Sequence, residues 1–411
     1  MNSSFIRVIA NYNFRLLWSS QIISQIALNT LSFVLAIEVY RLTLSNTAVS
    51  LMFLTFGLPA IFFGVAFGGI VDNYDKRSIL IFCNLLRAVI LILYYLLSPY
   101  LLMLYLLSVL ISIVTQLFIP AEAPSIPQLV KKHDLLPANS LFIITFYLSL
   151  VLGSIWAGPL LRTLGKQNIY IFISLLMTSA AYFNWRMRKL PSERKRGSEF
   201  KLKAFIDPII EGFLFISRHR RIRQSLFLLT FSQALMATLA VLAPGFAYQV
   251  LNLAIEDVSI AVMGPAALGL IVGAVSVSYI SKYILRGSMI LSGILITGTM
   301  LIILSVVGSI NNSGMIMFIM FILMMIGAAN SFINVPSATI LQEETDKQLR
   351  GRIYGILTSL TGGISLLPVL ISGILADKVG TDRAMLFIGF IVLLIGSYYL
   401  IKRKVLVYIT S

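Results

Sequence analysis

Apolar residues gather in twelve long runs, near positions 16–40, 48–71, 78–98, 101–120, 139–162, 167–186, 224–248, 259–281, 287–308, 314–335, 353–376 and 384–401, each bounded by charge or turn residues. A helix crossing the hydrocarbon core needs about 20 predominantly apolar residues, and every run is of that order. The pattern predicts an all-α membrane protein with twelve transmembrane helices. Three breaks, at Ser98-Pro99, at Leu253–Asp257 and at Asn311-Asn312-Ser313, are short and fall on one side of the membrane. The first run is too long for a secretory signal core and carries polar residues throughout, so it is expected to remain as a span.

Composition agrees with the pattern. Of 411 residues, 58% are apolar and 12% charged, more hydrocarbon than one soluble core can hide, and twelve spans leave no room for a sizeable soluble domain. The formal charge is +16, but Lys and Arg in a membrane chain first report orientation, so nucleic acid is not an expected partner. A single cysteine, Cys83, excludes an intramolecular disulfide framework, and two histidines, His133 and His219, exclude a histidine-built metal site. Neither a metal nor a cofactor is expected.

With the N-terminus inside, 26 of the 32 Lys and Arg lie on cytoplasmic segments and 5 outside, at Arg41, Arg162, Lys166, Lys378 and Arg383, while Arg87 falls within a span. This bias predicts a multi-pass protein of the cell (inner, cytoplasmic) membrane with both termini cytoplasmic. Twelve of the 26 lie between Arg186 and Arg223, in the one long connection. That connection divides the chain into a half at 1–188, a linker at 189–222 and a half at 223–411. Within the linker, Asp207 can cap a helix beginning at Pro208, and Phe205, Ile209, Phe213 and Ile216 recur at helical spacing beside Arg218, Arg220 and Arg221. Such a helix is expected on the cytoplasmic membrane surface; the alternative is a solvated basic linker.

The halves resemble each other. Ser24-Gln25 with Thr30-Leu31 matches Ser232-Gln233 with Thr238-Leu239 at an offset of 208, and Gly158–Gly165 matches the spacing of Gly373–Gly380 at an offset of 215. A looser match pairs the proline-led connection after Phe118 with the one after Asn334. Matches that keep chain order at nearly constant offset imply a six-plus-six parallel repeat.

The connection after the second run reads Gly68-Gly69-Ile70-Val71-Asp72-Asn73-Tyr74-Asp75-Lys76-Arg77. It resembles the cytoplasmic loop motif of the major facilitator superfamily, with Asn73 where a basic residue is usual and Asp75 where glycine is frequent. The form Asp-x-x-Asp-basic-basic is similar to a variant in the macrolide and siderophore exporter branch. Phe14-Arg15-Leu16-Leu17-Trp18, Pro120-Ala121-Glu122-Ala123 with Ala138-Asn139-Ser140, and Leu341-Gln342-Glu343 with Arg350-Gly351-Arg352 extend that resemblance over both halves. It implies the major facilitator fold, in which two six-helix repeats rock about a central site.

In physical terms, Gly68 lets helices approach, while Asp72 and the Lys76–Arg77 pair can bond across the cytoplasmic gap when that side is shut. Gly68, Asp72, Asp75, Lys76 and Arg77 are therefore the candidate latch, against the alternative of an ordinary positive-inside loop. Gly373-Ile374-Leu375-Ala376-Asp377-Lys378 fits the same pattern but faces outward in this topology, and is read as helix termination. Gly158-Pro159, with Gly153 upstream, resembles the core of the antiporter motif; a bend and close packing are expected there for any function.

No Gly-x-x-x-x-Gly-Lys-Ser/Thr loop occurs, so an ion gradient is the expected energy source. Among the acids only Glu38 lies within an apolar run, with Glu122 at the cytoplasmic end of the fourth. Glu38 is the candidate proton carrier, or else pairs with Arg41 at the interface. Arg87, near the middle of the third run, must be compensated, either by cargo or by neighbouring helices. Gln21, Gln25, Asn29 and Ser32 share one helical face, expected to look into a cavity, and Thr230 with Gln233 and Asn330 with Asn334 repeat the idea. Uncharged amides also join helices, which is the competing account of each. With Phe33, Tyr147, Phe231 and Met236 nearby, a large, sparsely polar chamber follows.

Such a chamber suits hydrophobic or amphiphilic small molecules better than sugars or phosphates. The expected activity is export of a drug-, macrolide- or siderophore-like compound by alternating access and proton antiport, with Na⁺ as the alternative ion, from a monomer in a lipid bilayer. Nutrient uptake and a non-transporting sensor or scaffold are the rivals. No embedded His-Glu-x-x-His, paired aspartates or serine–histidine arrangement suggests an enzyme.

Overall fold

The computed structural model describes residues 2–71, 74–190, 215–308, 313–345, 357, 363 and 365–401. The described chain is helical throughout its ordered elements: α1 Asn2–Ala10, α2 Tyr12–Thr43, α3 Asn46–Val71, α4 Lys76–Leu97, α5 Leu101–Glu122, the short α6 Ser125–Leu129, α7 Leu135–Leu164, α8 Asn168–Arg186, α9 Arg220–Gly245, α10 Gly264–Ile280, α11 Arg286–Gly308, α12 Ile316–Glu344, α13 Leu366–Val379 and α14 Thr381–Ile401.

Ten segments among the described residues are long and apolar enough to cross a bilayer, and they fall on ten of the twelve apolar runs. The other two runs correspond to α8 and α13. The first has 19 residues diluted by Asn168, Ser174, Thr178, Ser179, Asn184 and Arg186. The second shows 14 residues because most of its run before Ser365 lies outside the described residues. Large apolar side chains such as Phe62, Leu96, Leu175, Met317 and Leu394 are bare on these helices. In water that would be costly, whereas lipid is their natural solvent.

The chain forms two compact units, one of Met1–Leu42 with Leu54–Lys201, the other of Thr43–Phe53 with Leu202–Ser411. In the first, α4 packs on α5 and α8. Tyr94 stacks on Tyr170 at 5.3 Å between ring centroids, its hydroxyl donates to the Leu104 carbonyl (3.1 Å), and Ser174 donates to the Ala88 carbonyl (2.9 Å). In the second, α12 lies against α9, α10 and α11. Gly269 and Gly327 bring α10 and α12 into backbone contact: a Cβ at Gly269 would stand 1.9 Å from the Met324 carbonyl oxygen, and one at Gly327 2.0 Å from that of Ala266. Between helices in lipid, where hydrocarbon gains nothing by leaving one apolar neighbour for another, such close packing and buried hydroxyl bonds hold the bundle.

The internal repeat has a local signature. Gly165 and Gly380, matched in the sequence, end α7 and α13 with φ of 84° and 99°. Each donates its N–H to the carbonyl four residues back, Leu161 and Ala376, at 3.0 Å. Glycine takes this left-handed conformation without the strain a side chain would add.

The linker helix proposed at Asp207–Pro208, with Phe205, Ile209 and Phe213, lies outside the described residues. Ile216 is described, and its place differs from the expected membrane-facing stripe: it is buried with Ile222, Leu226, Leu229 and Leu341. Covering by protein serves an isoleucine at the foot of α9 as well as lipid would.

Candidate functional site

Among the described residues the most buried charge is Arg87, at 1% exposure in the middle of α4. Its Nη1 donates to Asn84 Oδ1 (3.2 Å), one turn back, and its Nη2 to Thr115 Oγ1 on α5 (3.0 Å). The guanidinium also lies over the Phe118 ring, 4.5 Å from the centroid. Thr115, Phe118 and Glu122 recur at spacings of three and four, so they share a face of α5. Glu122 is near enough for its charge to act on Arg87. One Glu122 oxygen, Oε1, and Arg87 Nε are buried without a hydrogen-bond partner. Neighbouring helices thus supply most of the compensation that an embedded guanidinium requires.

The run boundaries do not reveal Glu122 as a partner of Arg87, because the fourth run closes at Pro120. The helix does not: α5 continues through that proline to Glu122. The available signal is the spacing from Thr115, which keeps an acid in register with a hydroxyl and a ring that face an embedded arginine.

Glu38 near the end of α2 is ion-paired with Arg41, three residues on. It borders a cavity of about 430 Å³ in the first unit, shared with Leu42, the Ser98-Pro99 turn and Leu164–Asn168.

The α2 stripe meets α7 over much of its length. Gln21 Nε2 donates to the Phe142 carbonyl (3.2 Å), Asn29 Nδ2 to Ser149 Oγ (3.1 Å), and Trp18 Nε1 to Thr145 Oγ1 (2.8 Å). Ser32 bonds its own helix at the Leu28 carbonyl (3.0 Å), and Gln25 is half-buried. Gln21 and Asn29 thus join helices, the competing account of such amides, and Asn29 remains half-buried. Gly153 makes the approach feasible, since a Cβ there would stand 2.6 Å from Asn29 Cβ and 2.8 Å from Thr30 N. Gly158 is buried, and Pro159 sits inside α7, which remains one helix from Leu135 to Leu164.

In the second unit Asn330 and Asn334 likewise grip one residue, both donating to Ser232 Oγ, at 2.9 and 3.3 Å. Gln233, beside that serine and midway along α9, is exposed. The repeat pair therefore behaves alike, with buried Ser24 and Ser232 each followed by a glutamine less enclosed than itself.

Of the candidate latch, Asp72 lies outside the described residues and Gly68 belongs to the last turns of α3. Asp75 caps α4: its Oδ1 accepts from Arg77 N (3.2 Å) and Leu190 N (2.9 Å), and its Oδ2 from Ser78 Oγ (3.1 Å). Arg77 reaches the last carbonyls of α8, donating from Nε to Asn184 (3.3 Å) and from Nη2 to Trp185. The buried Lys76 bonds through its backbone N–H to the Leu190 carbonyl (3.1 Å). These bonds tie the loop to the end of its own unit, α8, where a cation also meets the negative end of a helix.

At the other end of the second unit, Asp377 of α13 accepts from Asn46 N (2.7 Å), Asn46 Nδ2 (3.2 Å), Thr47 N (2.9 Å) and Ser45 Oγ (2.5 Å). The segment read as plain helix termination is thus also a cap for α3. The signal for it is the Gly-x-x-x-Asp spacing it shares with Gly68–Asp72. Glu343, in a segment singled out by resemblance, pairs with Arg286 at the start of α11, one of its contacts at 3.0 Å.

Long apolar helices bearing embedded, internally compensated polar groups define a polytopic membrane protein. The model for the Major Facilitator Superfamily matches residues 17–368, and the chain belongs to that family. It is 25% identical over 384 residues, 90% of this chain and 88% of the other, to the MFS-type transporter YfiS of Bacillus subtilis (strain 168). Macrolide efflux protein A of Streptococcus pyogenes is 22% identical over 392 residues, 93% of this chain and 94% of its own. Among solved structures, a bacterial homologue of the human lysosomal transporter Spinster, in an inward-facing conformation, superposes with a TM-score of 0.77 at 11% identity, covering 98% of this chain and 99% of that one. The nucleoside transporter NupG gives 0.72 at 11% identity, over 95% and 99%.

Proposed function

We propose that this superfamily member is a secondary carrier that exports hydrophobic or amphiphilic small molecules, of the macrolide or drug-like kind, in exchange for protons by alternating access. The observation that carries the reading is Gln233, exposed midway along a membrane helix on which the exposed residue before it is the apolar Phe227. An uncharged amide at that depth is costly against lipid and favourable against water or cargo. With its repeat counterpart Gln25 it supplies hydrogen-bonding groups without fixed charge, which suits bulky organic compounds. The resemblance to a macrolide efflux protein supports the cargo class and direction. An embedded carboxylate, Glu122 beside Arg87 or Glu38 beside Arg41, would take the proton, and the carrier would work as a monomer in the cytoplasmic membrane with both termini inside.

Uptake into inverted membrane vesicles tests this. A labelled macrolide should accumulate when the vesicle interior is acidified and leak out when the pH gradient is dissipated, and Gln233→Leu should lower the rate about tenfold with the protein still folded. Accumulation confined to right-side-out vesicles would establish import instead. Absence of any cargo-dependent proton movement, across macrolides and lipophilic dyes, would overturn proton antiport, and absence of cargo movement under a Na⁺ gradient as well would favour the scaffold.

A further inference from the structure

One face of α8 changes character along its length. Ile171, Leu175, Thr178, Tyr182 and Arg186 recur at spacings of four, three, four and four, and all of them are exposed. Thr178 donates to the Ser174 carbonyl of its own helix (3.0 Å), so the face runs from apolar through aromatic to cationic. From Ile171 to Arg186 the helix rises about 22 Å at 1.5 Å per residue. Half a bilayer with its headgroups is about 20–22 Å thick. The stripe therefore has the length and the polarity gradient of one lipid leaflet. Trp185, also exposed, lies beside Tyr182 at 6.1 Å between ring centroids, at the level where aromatic side chains mark the membrane interface.

The cationic end is held in place by its own unit. Arg186 Nη1 donates to Tyr182 OH (2.9 Å), and its Nη2 to Tyr12 OH at the start of α2 (3.1 Å). The guanidinium also stands over the Tyr182 ring, 5.9 Å from the centroid, and Arg15, one turn along α2, stands 5.8 Å over the ring of Tyr12. The two helix ends are tied beside it, where Arg188 N donates to Asn13 Oδ1 (2.9 Å). Among the described residues neither Arg15 nor Arg186 has an acidic partner, and both are exposed.

A guanidinium has five N–H donors, and the two tyrosines occupy one each. Either phenol accepts a bond from Arg186 and keeps its own O–H to give. The remaining N–H and O–H donors surround one exposed cation, with a second cation over the Tyr12 ring. A phosphodiester has the oxygens to accept these bonds and the charge to match them, and arginine suits the bidentate recognition of phosphate. A zwitterionic headgroup would bring an ammonium to two arginines that have no carboxylate beside them. We propose that Tyr12, Arg15, Tyr182 and Arg186 hold the phosphate of an anionic phospholipid whose acyl chain lies along Leu175 and Ile171. The charge bias puts this end of α8 in the cytoplasmic leaflet, whose anionic lipids would supply the ligand. The site lies wholly within the first unit and does not depend on the carrier reading.

Native mass spectrometry of the full chain, released from detergent, tests it. With phosphatidylglycerol and phosphatidylcholine of matched chains supplied together, the wild type should retain about tenfold more of the first. Arg186→Gln should lower that retention about tenfold, the scale on which one charge-assisted bond acts, and Tyr12→Phe with Tyr182→Phe about threefold, since the rings stay and only the hydroxyls go. Arg15→Gln should also lower it, and covers the case in which Arg186→Gln fails to accumulate. Melting temperature gives a second reading: phosphatidylglycerol should raise it in the wild type and not in Arg186→Gln, and millimolar inorganic phosphate should raise neither. Equal retention of the two lipids by the wild type, or unchanged retention in both arginine variants, would overturn the site. Equal protection by inorganic phosphate would overturn its assignment to a lipid.

Discussion

A guanidinium held at 1% exposure is stable only while its partners stay in place, and Arg87 names them: Asn84, Thr115, the Phe118 ring and the nearby charge of Glu122. Removing one member of a buried charge cluster costs about 3–5 kcal/mol, because the other is left uncompensated. Arg87→Met should therefore destabilise by about that amount in a detergent unfolding series, and Thr115→Val by about 1 kcal/mol. Adding Glu122→Gln to Arg87→Met should recover part of the loss. A double variant as weak as the sum of its singles would show that the two charges do not couple. Asp377, one residue past its apolar run, gives a pH dependence. Burial pushes its carboxyl up, but the bonds from Ser45, Thr47 and Asn46 outweigh it and hold the group below the ordinary carboxylate range. A lowered folded value means that its stabilisation is complete above the unfolded value and is lost as pH falls through the folded one. The melting temperature of the Asp377→Asn variant should thus approach that of the wild type on acidification below about pH 4. Arg87 is legible in the sequence because depth in an apolar run marks an embedded charge. Its partner is hidden by Pro120, a residue that ordinarily ends helices and here does not.

Between elements, polar side chains are ambiguous for a definite physical reason. The amides of Gln21, Asn29, Asn330 and Asn334 sit at the spacing that predicts one polar face, yet a neighbouring serine or carbonyl satisfies such a face as readily as water or cargo. Here α7 supplies Ser149 and the Phe142 carbonyl, and α9 supplies Ser232. Helix existence, by contrast, is plain from run length, and ten runs recur as long apolar helices. Close backbone packing leaves a weaker trace, since glycine also marks turns. The contact of α10 with α12 at Gly269 and Gly327 admits no Cβ without movement. Gly269→Val and Gly327→Val should each cost about 3 kcal/mol or more through overpacking, lowering the melting temperature in detergent. Gly165→Ala, where a Cβ meets nothing within 4 Å but φ is 84°, should cost only about 1 kcal/mol of backbone strain. Equal losses at the three positions would show that contact distance is not what selects glycine between α10 and α12.

For the molecule as a whole, charge predicts the orientation more directly than any contact does. Moving a cluster of Lys and Arg across a bilayer is opposed by the cost of dehydrating each, and 26 of 32 sit on segments that one orientation keeps in the cytoplasm. The Gly68–Arg77 loop and the α10–α11 connection belong to that set, whereas the Ser98-Pro99 turn does not. Three bare tyrosines report the three places: Tyr74 at 61% exposure, Tyr100 at 64% and Tyr283 at 88%. Each lies beyond the end of a membrane helix, so replacement by cysteine should leave folding and transport near the wild-type level. With an impermeant maleimide on intact cells, Tyr100→Cys should label and Tyr74→Cys and Tyr283→Cys should not; in inverted vesicles the pattern should reverse. Tyr74 and Tyr283 come from different units, so their agreement tests the parallel repeat as well as the orientation. If Tyr74 and Tyr283 label from opposite sides, an odd number of crossings separates them, and the six-plus-six repeat fails. If all three reverse together, the repeat stands and the charge bias has been overruled, which would turn the proposed export into import.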